Sequence, residues 1–131
     1  MKKLLALMLS AVMVFTMGTS VFAYSDVKEG TYVSEAVTVL SDLDILDGYT
    51  DGTFKPDATV TRAEMAKIIC ETLGHNSLTS GVTPFDDVAA THWAAGYINM
   101  AYGLGIISGY GDNKFGPEDT VTYEQAVKMI V

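Results

Sequence analysis

Shifted by 61 residues, the sequence falls on itself without a gap, so the chain must fold as two like units. Ser25-Asp26-Val27 aligns with Asp86-Asp87-Val88, and Tyr32 with Trp93. Leu43-Asp44-Ile45-Leu46-Asp47-Gly48-Tyr49 aligns with Leu104-Gly105-Ile106-Ile107-Ser108-Gly109-Tyr110. Asp51, Phe54 and Pro56 align with Asp112, Phe115 and Pro117, Thr59-Val60-Thr61 with Thr120-Val121-Thr122, and Lys67 with Lys128. So many matches among Gly, Pro, Asp and aromatic residues, with no insertion, exclude chance.

Within each unit the pattern is helix, turn-rich loop, helix. Val33, Ala36, Val37, Leu40 and Leu43 recur at helical spacing. The equivalent helix of the second copy is expected from about His92 to Leu104, with Gly105 as a left-handed cap where the first copy has Asp44. The loop Gly48-Tyr49-Thr50-Asp51-Gly52-Thr53-Phe54-Lys55-Pro56 is dense in turn residues, and its aromatic side chains are expected to fold inward. Thr61 and Glu64 are spaced as a capping box for the second helix, and Thr122 with Gln125 repeats it. Met65, Ile68, Ile69 and Leu73 continue that helix until Gly74 stops it. The fold class expected is mostly α, tandem helix–loop–helix repeats. A unit of about 45 residues buries too little surface to be stable by itself, so the two must share a core.

The first residues have another purpose. Met1-Lys2-Lys3 is a basic start, Leu4 to Phe15 a mostly apolar run, and Val21-Phe22-Ala23 suits a signal peptidase site. A membrane anchor is the competing reading, since Leu4 to Ala23 approaches the ~20 residues that cross a bilayer. The Thr and Ser interruptions favour cleavage after Ala23. The expected organisation is a signal peptide over 1–23, repeat 1 over 24–74, a linker over 75–84 and repeat 2 over 85–131. Repeat 2 breaks off within an apolar helical face, as a fragment of a longer protein would. Tyr24 follows the cleavage site, so no lipid-bearing Cys is created there, and no second apolar run is long enough to span a membrane.

Charge narrows the function. The net charge is -8, and loss of Lys2 and Lys3 leaves 6 bases against 16 acids, a charge of -10. Such a balance argues against nucleic acid, whose phosphates need clustered Lys and Arg. One cysteine, Cys70, excludes an internal disulfide and an all-cysteine zinc site, and its apolar setting reads as a small buried hydrophobe. Asp42, Asp44, Asp47, Asp51 and Asp57 suggest calcium, but a calcium loop starting at Asp47 fails at Tyr49 and at Ala58, where ligand oxygens are needed. His75 and His92 are far apart and not equivalent, which speaks against a metal site. No spacing singles out a catalytic pair or triad, so no enzyme, metal or cofactor is expected.

The stretch Gly48 to Pro56, followed by Val60-Thr61-Arg62-Ala63-Glu64 and joined by Phe85-Asp86-Asp87-Val88, resembles the S-layer homology domain of bacterial cell-surface proteins. The resemblance covers nearly all of the chain after residue 23. It implies non-covalent anchoring of an exported protein to secondary cell-wall polysaccharide, often one bearing a pyruvate ketal. It also implies three units about a pseudo-threefold axis, with sugar grooves between neighbours, so two repeats would form an incomplete bundle. The second copy has Tyr123 and Gln125 where the first has Arg62 and Glu64, which departs from the family's pattern.

Those residues set the site expectations. A pyruvylated sugar offers a carboxylate, hydroxyls and apolar ring faces. Arg62, in the first turn of a capped helix, suits a charge-assisted contact with the carboxylate, aided by helix N-terminal amides, with Glu64 beside it. The alternative for Arg62 is an ion pair with Glu64 or a nearby Asp. Trp93, Tyr49 and Tyr110 are candidates to stack on sugar rings, with core packing the alternative for Trp93; Phe54 and Phe115 are assigned to the core. Expected partners are the polysaccharide, and a homo-oligomer or a further repeat of the same kind; the location is the cell wall or surface. The competing functions are a structural or protein-interaction module, and the anchor end of a larger exported enzyme or S-layer protein.

Overall fold

The computed structural model describes residues 24–75 and 81–130; the expected signal peptide, half of the expected linker (76–80) and Val131 lie outside the described residues. Among the described residues four helices follow one another: α1 (Tyr32–Asp42), α2 (Arg62–Thr72), α3 (Ala95–Gly103) and α4 (Tyr123–Ile130). Among the described residues no strand forms, only isolated bridges of Thr61 with Thr120 and Gly111 with Lys114. The protein is mostly α, as the repeat pattern requires.

Local chemistry explains where the helices start and stop. Thr61 accepts from the Glu64 amide while Glu64 Oε2 accepts from the Thr61 amide at 2.8 Å, so the box on α2 is complete. Thr122 and Gln125 form its looser copy, with bonds of 3.2 and 3.3 Å. A third box joins Thr31 and Ser34 at the start of α1. α1, α2 and α3 finish alike. The residue past each cap is left-handed, Asp44 at φ 54, Gly74 at φ 81 and Gly105 at φ 73. The next amide reaches back to Leu40, Cys70 or Ala101 at 2.8–3.0 Å, closing each last turn.

α3 starts at Ala95, later than the spacing suggested. His92 is occupied in a turn: its Nδ1 accepts from the Ala94 amide and its Nε2 lies 3.2 Å from Glu118. Ala94, at φ -95 and ψ 5, lies outside helical geometry and makes no side-chain cap bond, so α3 begins after it.

The core does not respect the sequence repeat. Ala63, Ala66 and Cys70 of α2, in the first unit, are buried against Ala95, Ile98 and Ala101 of α3, in the second. Small residues on both faces let the two helices approach closely, and Cys70 Sγ donates to the Tyr97 carbonyl at 3.4 Å. Phe115, fully buried, plugs this core from the second loop, with its ring 5.2 Å from that of Phe85. The equivalent Phe54 packs on Tyr24 at 5.3 Å. These two phenylalanines take the inward positions, so Tyr49 and Tyr110, also expected to point inward, are instead 41% and 54% exposed. On α1 only Ser34 and Val37 are buried; Val33 and Leu43, expected on the packed face, are exposed.

Each loop is pinned to the start of its own unit by a carboxylate. Asp26 accepts from the amides of Phe54 and Lys55 at 2.8 and 2.7 Å. Asp87 accepts from those of Phe115 and Gly116 at 2.9 and 2.8 Å. The Phe54 amide chiefly, with that of Lys55, holds Asp26 below the ordinary carboxylate range. Burial pushes Asp87 up, but its two amide partners outweigh that and hold it low as well.

Candidate functional site

Arg62 sits at the junction of the two units and is 3% exposed. Its Nε donates to the Phe115 carbonyl and its Nη2 to the Ser108 carbonyl, both at 2.8 Å. The guanidinium carbon lies 4.4 Å from the centre of the Tyr110 ring and 4.5 Å from that of Phe115. Neither expected ion pair forms: Glu64 is held in the capping box, and no carboxylate pairs with Arg62 among the described residues. Two backbone carbonyls of the neighbouring loop do the work instead.

The helix amides expected to help hold an anion are already taken. The Arg62 amide donates to the Asp119 carbonyl at 2.9 Å and that of Ala63 to the Pro117 carbonyl at 3.0 Å. Glu64 and Met65 bond to Thr61. The start of α2 is therefore closed by the second unit, and any anion near Arg62 must rely on side chains.

The structure divides the five expected site residues between two clefts. Trp93, Tyr49 and Glu64 line the larger, of about 590 Å³, with Asp47, Lys67 and Ile68. Trp93 is 48% exposed there, which decides against core packing. The Tyr49 hydroxyl donates to Glu64 Oε1 at 3.3 Å; burial and the Glu64 charge raise its pKa. Lys67 bonds to Asp47 and lies 3.7 Å from Glu71. Burial opposes the Lys67 charge, but those acids prevail and lift its pKa above the ordinary lysine value.

Arg62 and Tyr110 line the smaller cleft, of about 210 Å³, with Ser108, Gly109, Gln125 and Lys128. Lys67, Gln125 and Lys128 were not singled out as site residues from sequence. The signal was present, because Lys67 and Lys128 are equivalent in the repeat, but one matched lysine pair among solvated charges carries little weight without the clefts. Among the described residues, no group of three or more His, Cys, Asp or Glu is placed to hold a metal ion.

A family model of the S-layer homology domain matches residues 23–66 and 84–127. The chain is 36% identical, along its whole length, to a cell surface protein of Thermoanaerobacter kivui, of which it covers 18%. It is likewise 36% identical to a surface layer protein of Brevibacillus choshinensis, covering 12% of that protein. A cellulosome-anchoring protein of Acetivibrio thermocellus is 32% identical over 85% of this chain, which spans 26% of it. The chain thus spans about a quarter or less of the length of these relatives.

Proposed function

Because the chain belongs to the S-layer homology domain family, we propose that it is a non-covalent anchor that holds an exported protein on the bacterial cell surface by binding an acidic secondary cell-wall polysaccharide. The observation that carries the reading is the pair of clefts where the two units meet, one presenting Arg62 and the other the half-exposed rings of Trp93 and Tyr49. An acidic substituent such as a pyruvate ketal is the group that Arg62 serves, in a cleft where Tyr110 provides a ring face. Trp93 and Tyr49 offer apolar faces to neutral sugar rings, and Glu64 orients Tyr49 through its hydroxyl. No catalytic step is assigned to these residues.

The test is sedimentation with isolated walls. The protein should pellet with intact walls and stay in solution with walls stripped of their polysaccharide. Equal retention by both would reject the glycan as ligand.

One observation favours a second reading, a protein-interaction module. Tyr32, Val33, Val39 and Leu43 lie exposed on or beside α1. Light scattering that gave a monomer at all concentrations would reject self-association through this face.

A further inference from the structure

The outer helices lack what the two middle ones have. α2 and α3 pack closely on one another, whereas α1 and α4 make no comparable helix contact among the described residues. On α1 this leaves an open apolar stripe. Away from the buried Ser34 and Val37, the residues Tyr32, Ala36, Val39 and, at the cap, Leu43 recur at the spacing of one helical face. Tyr32, Val39 and Leu43 are 85%, 56% and 60% exposed. Shifted by 61, the stripe falls on Trp93, Tyr97, Met100 and Leu104 of the second unit. There the matching face has a helix to meet: the Tyr97 hydroxyl donates to Glu71 of α2 at 3.0 Å, and Cys70 of α2 donates to the Tyr97 carbonyl. α1 thus carries a copy of a helix-docking face whose mate is not among the described residues.

A concavity of matching chemistry lies beside α4, the copy of α2. Met65, Ile69, Leu73, Ile106 and Met129 line an apolar groove of about 490 Å³ between the two. Among the described residues no carboxylate lines it, and Lys128 is its one charged group. The stripe is flanked by the opposite sign: Glu35 and Asp42 lie along one side of it, and α1 carries no cation. In its own chain the stripe stands exposed, so it does not fill this groove itself. We infer that the groove seats α1 of a second copy of this chain, an apolar helix face laid in a groove, with Lys128 turned toward Glu35 and Asp42. The inference rests on the protein-interaction reading and gives it a partner and a receiving surface.

Stripe and groove are different surfaces, so the contact is heterologous. One joined pair leaves a stripe free at one end and a groove free at the other, and further copies add head to tail. The copies are acidic and repel one another at a distance. The joint therefore draws its strength from apolar burial of Tyr32, Val39 and Leu43, and Lys128 serves to orient it.

The experiment is sedimentation velocity over a range of protein concentrations, with Val39→Glu on the stripe and Leu73→Glu in the groove. Both side chains are exposed, so the melting temperature should stay that of wild type. Wild type should associate as its concentration rises, and each variant alone should raise the dissociation constant about tenfold or more, because a charge enters the joint. Mixed in equal amounts, the two variants should regain a dimer and nothing larger, since one still offers a groove and the other a stripe. Lys128→Glu should weaken association about threefold. Wild type that stays monomeric at every concentration defeats the interaction reading and this inference with it. Association lost in Val39→Glu, unchanged in Leu73→Glu and not restored by mixing makes the contact stripe to stripe, and defeats the groove alone. Decanoate bound by monomeric wild type, and lost in Leu73→Glu, would give the groove to a small amphiphile and overturn the assignment to a second copy.

Discussion

Nε of Arg62 donates to the carbonyl of Phe115 at 2.8 Å, so the first turn of a helix in one unit fastens the loop that plugs the core of the next. Arg62 is at once the mortar between the units and a cation of the smaller cleft, and its substitution affects both.

Arg62→Ala should therefore lower the stability of the whole chain, by about 2–4 kcal/mol, because two carbonyls lose their donor and the Tyr110 and Phe115 rings lose their cover. Urea unfolding checks this. Lys in its place cannot reach both carbonyls with a planar fork and should recover only part of the loss. An unchanged urea midpoint for Arg62→Ala would show that the junction does not depend on the guanidinium.

Acid should loosen both units together. Asp26 and Asp87 titrate below the ordinary carboxylate value of 3.8 in the folded chain. For groups depressed on folding, the stabilisation is complete above the unfolded value and disappears as pH falls through the folded ones. The urea midpoint should thus hold steady down to about pH 5 and fall below about pH 4. Asp87→Ala should be less stable at neutral pH and show a shallower acid slope. A slope equal to that of wild type would exclude Asp87 as a source of the acid sensitivity.

Gly109 has no room for a methyl group. A Cβ there would lie 2.7 Å from the Phe85 ring and against the Lys114 carbonyl. Gly109→Ala should cost about 1–3 kcal/mol, whereas Gly103→Ala, with nothing near its added Cβ, should cost nothing when scored in the same thermal melt.

Trp93→Ala offers the opposite profile to Arg62→Ala. The ring is half exposed in the larger cleft, so the melting temperature should barely change. Retention on walls should weaken about threefold to tenfold if the ring stacks on sugar. Full retention would remove Trp93 from the binding surface.

Much of this was legible in the sequence because it is local. Thr61 with Glu64, Thr122 with Gln125, and the left-handed stops at Asp44, Gly74 and Gly105 depend on neighbours within a turn of helix. The Thr31–Ser34 box escaped notice because Ser stands where Glu or Gln marks such a box. What could not be read was the pairing across units. Nothing near Arg62 in the chain indicates that its donors end on Ser108 and Phe115, 46 and 53 residues away. The same distance hid the closing of the α2 amides by Asp119 and Pro117. The turn-rich loop announces itself, but which of its aromatics turns inward depends on a core assembled from two units, and there Phe115 excludes Tyr110.

Since α2 mates with α3, the block that packs is out of phase with the block that repeats. A gene lengthened by unequal recombination in whole 61-residue periods recreates that mating surface at every new joint, with no interface to be invented. A splice half a period out of step would instead strand a helix beside a stranger, so arrays of this kind can grow only by complete steps.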